Sequence, residues 1–184
     1  MMLDFKEIDK NWTLFLDRDG VINYEKQNDY IHKWSEFKFY EGVLEAMTIF
    51  SKKFKHIVVV TNQRGIGKGV TKEEDVIYLH KKMKESMVEN GGRIDAVYYC
   101  KDIDSSSLCR KPNIGMGLQA VKDLPTIDLT KAIMIGNTLS DMKFGKNLGI
   151  KTVFLPTTRP EVNLKDETID AVFPSLIAFA NHLL

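Results

Sequence analysis

The 184-residue sequence has little cysteine, almost no net charge and no long apolar run. Its two cysteines, Cys100 and Cys109, fit a reducing compartment. No stretch approaches the roughly 18 apolar residues that a membrane span needs. The first residues, Met1–Asn11, have no apolar core resembling that of a signal peptide. These absences predict a cytoplasmic protein with no membrane segment.

The charges are balanced, with 26 basic and 25 acidic residues, and no run of like charge is long enough to resemble a nucleic-acid-binding arm. We therefore expect a small partner rather than a nucleic acid, although a local basic pocket is compatible with this balance. The length fits one domain covering residues 1–184, with enough chain for a buried core. The sequence gives no information on the oligomeric state.

Short apolar, often β-branched segments alternate with segments that have helical spacing. This alternation predicts an α/β fold, with a parallel sheet and helices on both of its faces. The predicted strands are Trp12–Leu16, His56–Thr61, Asp95–Cys100, Lys131–Gly136, Ile150–Leu155 and Ala171–Phe173. The predicted helices cover 42–53, 71–90, 114–122, a short stretch ending before Gly149, and a C-terminal stretch starting at Pro174.

Two local features of the chain receive specific predictions. Residues 23–41 are polar and aromatic without a clean period, so we expect a loop insertion with a small hairpin, either functional or simply packed on the surface. Thr71 followed by Glu74 has the form of a capping box at the start of the second helix.

Polar side chains follow four of the predicted strands, where parallel sheets place their ligand chemistry. These ends share one edge of the sheet, so the groups can converge on a metal-assisted reaction at a phosphate. The residues are Asp17 and Asp19, Thr61 and Asn62, Arg110 and Lys111, and Asn137 and Asp141.

Three blocks make this pattern specific: Asp17–Asn23, Thr61–Gly69 and Cys109–Pro112, followed by Gly136-Asn137-x-x-x-Asp141. In this order they resemble the haloacid dehalogenase superfamily. More closely, they resemble the subgroup of D-glycero-D-manno-heptose bisphosphate phosphatases and histidinol-phosphate phosphatase domains, from about Trp12 to Leu155. The resemblance implies a three-layer, Rossmann-like fold with no large cap domain, and Mg²⁺-dependent hydrolysis of a phosphomonoester in a small metabolite.

The resemblance also implies roles for the strand-end residues. Asp17 would be the nucleophile, ionised at neutral pH if its pKa is ordinary. Asp19 would be the general acid and base, its pKa raised by the neighbouring carboxylate. Lys111 would balance the charge of the phosphate. The remaining implied ligands are Thr61, Asn62 and Arg110 for the substrate, and Asp17, Asp19, Asn137 and Asp141 for Mg²⁺.

Two positions depart from the pattern of this subgroup. Asn137 occupies the position where the family usually has Asp. Its amide oxygen carries no charge, so we expect weaker metal binding, or metal binding that depends more on Asp141. The subgroup's zinc loop is degenerate here, with Cys100, Asp102, Ser107 and Cys109 at the ligand positions. Because a closed zinc site needs four Cys or His ligands, we expect no zinc and two free thiols.

Several alternatives stay open from the sequence. Heptose bisphosphate is the first substrate expected and histidinol phosphate the second. Three other functions also remain possible: a phosphatase acting on nucleic-acid ends, a phospho-receiver domain, and a phosphate-binding relative with poor catalysis. Gly65–Gly69 lacks nucleotide-loop spacing and is interpreted as a flexible turn, and the four scattered histidines as structural or surface residues.

Overall fold

The computed structural model describes residues 5–184, which form six strands, six α-helices and three short 3₁₀-helices. The strands are β1 (Thr13–Leu16), β2 (His56–Asn62), β3 (Ala96–Cys100), β4 (Ala132–Gly136), β5 (Lys151–Phe154) and β6 (Ala171–Val172). The helices are α1 (Val43–Lys53), α2 (Arg64–Gly67), α3 (Glu73–Glu89), α4 (Gly115–Asp123), α5 (Leu139–Leu148) and α6 (Leu176–His182). The 3₁₀-helices are Phe5–Glu7, Trp34–Glu36 and Leu129–Lys131.

All six strands are parallel and lie in the order β3-β2-β1-β4-β5-β6, which confirms the predicted α/β class. The first strand lies at the centre, with Leu16 in register with Val59 of β2 and Ile135 of β4. Chain order therefore reverses across β1, and a crevice opens beyond the carboxyl ends of the strands at such a point. The residues that follow β1, β2 and β4 share this edge.

Helices cover both faces of the sheet, because alternate residues of each strand point to opposite sides. Leu14 and Leu16 of β1 join one apolar cluster with α1, α3 and α6, whereas Phe15 between them joins a second cluster with α4 and α5. The result is the three-layer arrangement expected from the family resemblance. None of the three β1 side chains is exposed, as expected for a strand buried on both faces.

The start of α3 differs from its prediction. Thr71 does not form the expected capping box: Lys72 is the N-cap residue and makes no side-chain capping bond. The Thr71 hydroxyl instead lies 2.7 Å from Nδ1 of His32, which is 39 positions earlier in the chain. A long-range partner has thus replaced the local one that the spacing suggested.

The C-terminal helix also begins later than predicted. The sequence predicts Pro174 at its first position, but Ser175 is the N-cap residue and accepts a hydrogen bond from the Ala178 backbone N–H at 3.2 Å. Gly149 ends α5 as predicted, in the left-handed conformation that lets glycine terminate a helix without strain.

Residues 23–41 contain the 3₁₀-helix Trp34–Glu36 and one antiparallel bridge, between Asn23 and Phe39. Trp34 stacks on Phe37, with ring centroids 5.0 Å apart, and both pack against the larger apolar cluster. The packed part of this segment therefore supports its other part, residues 25–31, which lines the cavity described below.

Within the described residues, no helix combines the length and apolar character required to cross a membrane. The prediction that Met1–Asn11 contains no signal peptide includes residues 1–4, which lie outside the described part of the chain. The cytoplasmic location stays a prediction.

Candidate active site

Asp17 stands directly beyond β1, at the carboxyl edge of the sheet. Its backbone N–H donates to the carbonyl of Ile135 at 3.0 Å, which continues the pairing of β1 with β4 past the end of the strand. The side chain is 11% exposed, so one side of it faces solvent while its surroundings fix its position. The strand geometry thus holds this carboxylate at a defined place.

Lys111 reaches Asp17 from the loop that follows β3. Its ammonium lies 2.9 Å from Oδ1 of Asp17 and 2.5 Å from Oδ1 of Asp141 on α5, and its side chain is 2% exposed. Burial alone would lower the pKa of Lys111, but the carboxylates of Asp141 and Asp17 raise it overall. The lysine is therefore a fixed cation between two acids.

The pKa of Asp17 differs from the ordinary value that was expected. Burial, and to a smaller extent the carboxylates of Asp141 and Asp19, raise this pKa to about 7 against the Lys111 ammonium, which lowers it. The sequence could not show this because desolvation depends on the fold. A divalent cation beside the carboxylate would favour its ionised form.

Asp141 has both of its oxygens engaged by protein donors. Oδ1 accepts from Lys111, while Oδ2 accepts from the backbone N–H of Thr138 at 3.0 Å and from its hydroxyl at 2.7 Å. The Thr138 hydroxyl in turn accepts from the Asp141 N–H, which completes a capping box at the start of α5. The helix start therefore fixes the carboxylate that fixes Lys111.

Asn62 and Thr61, predicted to hold phosphate oxygens, end β2 beside this cluster. The Asn62 side chain clamps the Lys111 backbone: its Oδ1 accepts from the Lys111 N–H at 3.0 Å, and its Nδ2 donates to the Lys111 carbonyl at 3.2 Å. The Thr61 hydroxyl accepts from Nε2 of Gln63 at 2.9 Å. Asn62 thus joins the second strand to the lysine loop.

Asp19 is held by more donors than the sequence indicated. The Arg18 guanidinium contacts both of its oxygens, at 2.8–3.2 Å, and Nδ2 of Asn23 and Nε2 of Gln63 donate at 2.9 and 3.0 Å. Burial raises the pKa of Asp19, but the Arg18 charge and these hydrogen bonds lower it overall. The expectation of a raised pKa is wrong, because Arg18 turns towards Asp19.

The residues around Asp17 fit a small divalent cation. Asn137 is fully buried; its Nδ2 donates to Thr158 at 2.6 Å, but its Oδ1 has no hydrogen-bond partner among the described residues. A buried oxygen without a donor is costly unless a ligand satisfies it, and Mg²⁺ binds such oxygens. The Asn137 side chain packs on Gly20, where an added Cβ would overlap it. Its oxygen therefore lies beside the turn that carries the two aspartates.

One cavity of about 980 Å³ connects most of these groups. Seven of the eight predicted site residues line it; Asn137, the eighth, is buried beside the Gly20 turn. The seven are Asp17, Asp19, Thr61, Asn62, Arg110, Lys111 and Asp141. The structure thus brings together residues from four segments of the chain, as expected for a parallel sheet.

Two arginines line the same cavity without an acidic partner. Arg64 and Arg110 form no ion pair within residues 5–184, and Nε of Arg64 is buried without an acceptor. Burial lowers the pKa of Arg110, and the charge of Arg64 lowers it further, so the two guanidinium groups repel each other. An anion between them would relieve both penalties.

The prediction that Cys100 and Cys109 are free thiols is wrong: the two residues form a disulfide, with Cα atoms 5.5 Å apart. Cys100 is the last residue of β3, and the loop after it folds back so that Cys109 lies beside Cys100. The sequence alone does not show this proximity. The carboxylate of Asp102 lies beside the sulfurs and accepts from Ser107. Disulfide sulfurs are not thiolate ligands, and the absence of zinc stays a prediction.

The sequence did not reveal the part that several other residues take in the site, among them Arg18, Gln63, Arg64 and His80. The first three lie within the quoted motifs, but nothing in the sequence shows where their side chains point. A signal for His80 did exist, since it falls among the buried positions Val76, Leu79, Met83 and Met87 of α3. A histidine on the apolar face of a helix needs a buried polar partner.

Comparison with known proteins gives consistent results. The sequence profile of a family described as polynucleotide kinase 3 phosphatase matches residues 13–157. A D-glycero-beta-D-manno-heptose-1,7-bisphosphate 7-phosphatase from Photorhabdus laumondii is 38% identical over 163 residues, 84% of this chain and 85% of that protein. The protein of the same description from Haemophilus influenzae is 35% identical over 175 residues, 91% of this chain and 94% of that protein.

A solved structure shows the same likeness in three dimensions. The D,D-heptose 1,7-bisphosphate phosphatase from B. bronchiseptica, complexed with magnesium and phosphate, aligns with a TM-score of 0.82 at 26% identity. The alignment covers 94% of this chain and 97% of that one.

The sheet topology, the aspartate–lysine cluster at its carboxyl edge and these relatives define a class: haloacid dehalogenase-type phosphatases, which are phosphoric monoester hydrolases. Within this class the chain belongs to the polynucleotide kinase 3 phosphatase family, whose profile spans most of its length. The resemblance to heptose bisphosphate phosphatases is confirmed. These relatives are hydrolases, which disfavours the phospho-receiver alternative.

Proposed function

We propose that the protein removes the 7-phosphate of a D-glycero-D-manno-heptose 1,7-bisphosphate through an aspartyl-phosphate intermediate. The two cavity arginines without an acidic partner among the described residues, Arg64 and Arg110, carry this substrate assignment, because a bisphosphate keeps one phosphate bound while the other reacts. Its relatives are described as phosphatases of the beta anomer in Photorhabdus laumondii and of the alpha anomer in Campylobacter jejuni. The anomer is therefore left open.

In the proposed reaction Asp17 attacks phosphorus and the bond to the leaving sugar oxygen breaks. Lys111 and the donors at the end of β2 offset the charge that the phosphate brings. Asp19 gives a proton to the leaving oxygen; the incoming phosphate charge raises its pKa against the hold of Arg18. In the second step Asp19 takes a proton from the water that attacks phosphorus; the bond between phosphorus and the Asp17 oxygen breaks, which releases inorganic phosphate and regenerates the Asp17 carboxylate.

Magnesium would be held by the Asp17 carboxylate, the Asp19 backbone carbonyl and Oδ1 of Asn137. When bound, it would orient the phosphate and neutralise part of its charge. We assign Asp141 to the positioning of Lys111, since protein donors already engage both of its oxygens. The uncharged Asn137 supports the expectation of weaker metal binding than an aspartate would give.

The cationic cavity wall separates the candidate substrates. Histidinol phosphate carries a positive charge on its leaving group, which Arg64 and Arg110 would repel. A 3′-phosphorylated oligonucleotide carries compatible charge, and the family description points to such substrates. However, a net charge of +1 gives little electrostatic attraction for an extended polyanion.

Side-by-side turnover of the heptose bisphosphate, histidinol phosphate and a 3′-phosphorylated oligonucleotide tests the proposal. We expect the highest kcat/KM for the bisphosphate. In Arg110→Ala, KM for the bisphosphate should rise by about 10- to 100-fold, the value of one or two charge-assisted hydrogen bonds, with little change for p-nitrophenyl phosphate.

Lys101→Ala is the matched control, since that exposed lysine pairs with Glu73 and does not line the cavity. It should leave both substrates unaffected. Equal losses on both substrates in Arg110→Ala, or preferred turnover of the oligonucleotide with steep salt dependence, would refute the substrate assignment.

A further inference from the structure

A fully buried arginine, Arg18, separates the two aspartates of the site in sequence and contacts the second of them, Asp19. The Arg18 side chain is 0% exposed, and Nη2 lies 2.8 Å from Oδ2 of Asp19. Nη1, on the other side of the guanidinium group, lies 2.9 Å from Nε2 of His80 on α3. The guanidinium group thus connects Asp19 to α3, none of whose residues lines the cavity.

His80 is an acceptor in this contact. A guanidinium group can only donate, so Nε2 of His80 carries the lone pair and its Nδ1 carries the proton. Burial and the Arg18 charge together lower the pKa of His80 to about 3, against the Asp19 carboxylate, which raises it. Tyr99 packs beside the ring at a centroid distance of 5.7 Å. The imidazole is therefore neutral and held in one orientation.

The contact restricts the guanidinium group of Arg18. With Nη1 fixed on His80, the Nε and Nη2 hydrogens face the Asp19 carboxylate. If Nη1 lost its acceptor, the planar group would turn to find another, since an unpaired buried donor is costly. Asp19 would then lose the donor that contacts both of its oxygens, and only Asn23 and Gln63 would still hold its carboxylate.

We propose that His80 is a positioning residue that acts through Arg18 to hold Asp19 in line with the leaving group. The inference rests on the proposed function, in which Asp19 is the general acid and base. The proposal gives α3 a part in the reaction. In a purely structural role, His80 would only accept the hydrogen bond that the buried Arg18 side chain needs. The two roles predict different dependence on the leaving group.

The test compares kcat/KM for a primary alkyl phosphate and for p-nitrophenyl phosphate. An alkoxide needs a proton from the general acid, whereas p-nitrophenolate leaves readily without one. In His80→Leu we expect kcat/KM for the alkyl phosphate to fall by about 10- to 100-fold, part of the effect of general acid catalysis, and that for the aryl phosphate by less than about 3-fold. His80→Gln, whose amide oxygen can replace Nε2, should restore most of the loss.

The control is His56→Leu, at the opposite end of β2, where His56 contacts Thr126 outside the cavity. It should change neither value. If His80→Leu does not fold, His80→Asn replaces it, because asparagine is too short to reach Arg18. Equal losses on both substrates, or no loss on either, would overturn the role of His80 while leaving the phosphatase assignment intact. No turnover by the parent protein would overturn both.

Discussion

Asp17→Asn is expected to abolish phosphatase activity, with a loss of about 10⁴-fold or more, while the protein stays folded. An amide cannot attack phosphorus to form the acyl phosphate, and removing a nucleophile typically has an effect of this order. The fold should not suffer, because Asp17 is a buried acid close to Asp141 and Asp19, whose charges raise its pKa. Replacing it with a neutral isostere removes this repulsion.

The measurement is steady-state turnover of p-nitrophenyl phosphate together with thermal unfolding. We expect the melting temperature of Asp17→Asn to equal or exceed that of the parent protein, as often happens when an active-site acid is neutralised. Asp123→Asn is the control: that carboxylate accepts from Tyr98 and Gln119 away from the cavity, and its loss should leave turnover unchanged. Turnover retained in Asp17→Asn would exclude the covalent route.

Lys111→Met is expected to damage both activity and stability. The substitution leaves the carboxylates of Asp17 and Asp141 facing each other in a buried site without a cation. Breaking a buried ion pair on one side usually costs about 3–5 kcal/mol. Activity should fall by about 10²- to 10³-fold, as when one electrostatic stabiliser of a transition state is removed.

The matched control is Lys146→Met, which removes a lysine paired with Asp170 at 2.6 Å. Because that lysine is one-third exposed, the loss should be about 1 kcal/mol or less, and activity should persist. Denaturant unfolding measures the two stabilities. If both variants lose the same stability, the Lys111 cluster is no more than an ordinary ion pair. If Lys111→Met keeps its activity, Lys111 has no catalytic role.

The fold could be predicted because its strands are short, β-branched and separated by segments with helical spacing. The segment His56–Thr61 is an example: its β-branched run predicts a strand, and the five residues at the centre of β2 are all buried, as in a strand covered on both faces. The site followed from the same reasoning. Once the strands are parallel, the residues after β1, β2 and β4 must lie at one edge, whatever the details of packing.

The remaining features depend on contacts between distant parts of the chain. Thr71 has a capping sequence, yet its hydroxyl contacts His32. Asp19 has an acidic neighbour in sequence, yet the direction of Arg18 decides its pKa. Cys100 and Cys109 pair because the loop between them folds back on β3. Local patterns contain none of this information, since each outcome needs the positions of residues far apart in sequence.

The most direct test of the account is chemical trapping of the phosphorylated enzyme. The protein is mixed with substrate and Mg²⁺, quenched during turnover and treated with borohydride, which reduces an aspartyl phosphate to homoserine. Mass spectrometry of the peptide containing Asp17–Asn23 then locates the change. We expect homoserine at position 17, dependent on substrate and absent from Asp17→Asn. Turnover with Asp17 unmodified throughout would contradict it, because the phosphoryl group would then pass to water without binding this carboxylate.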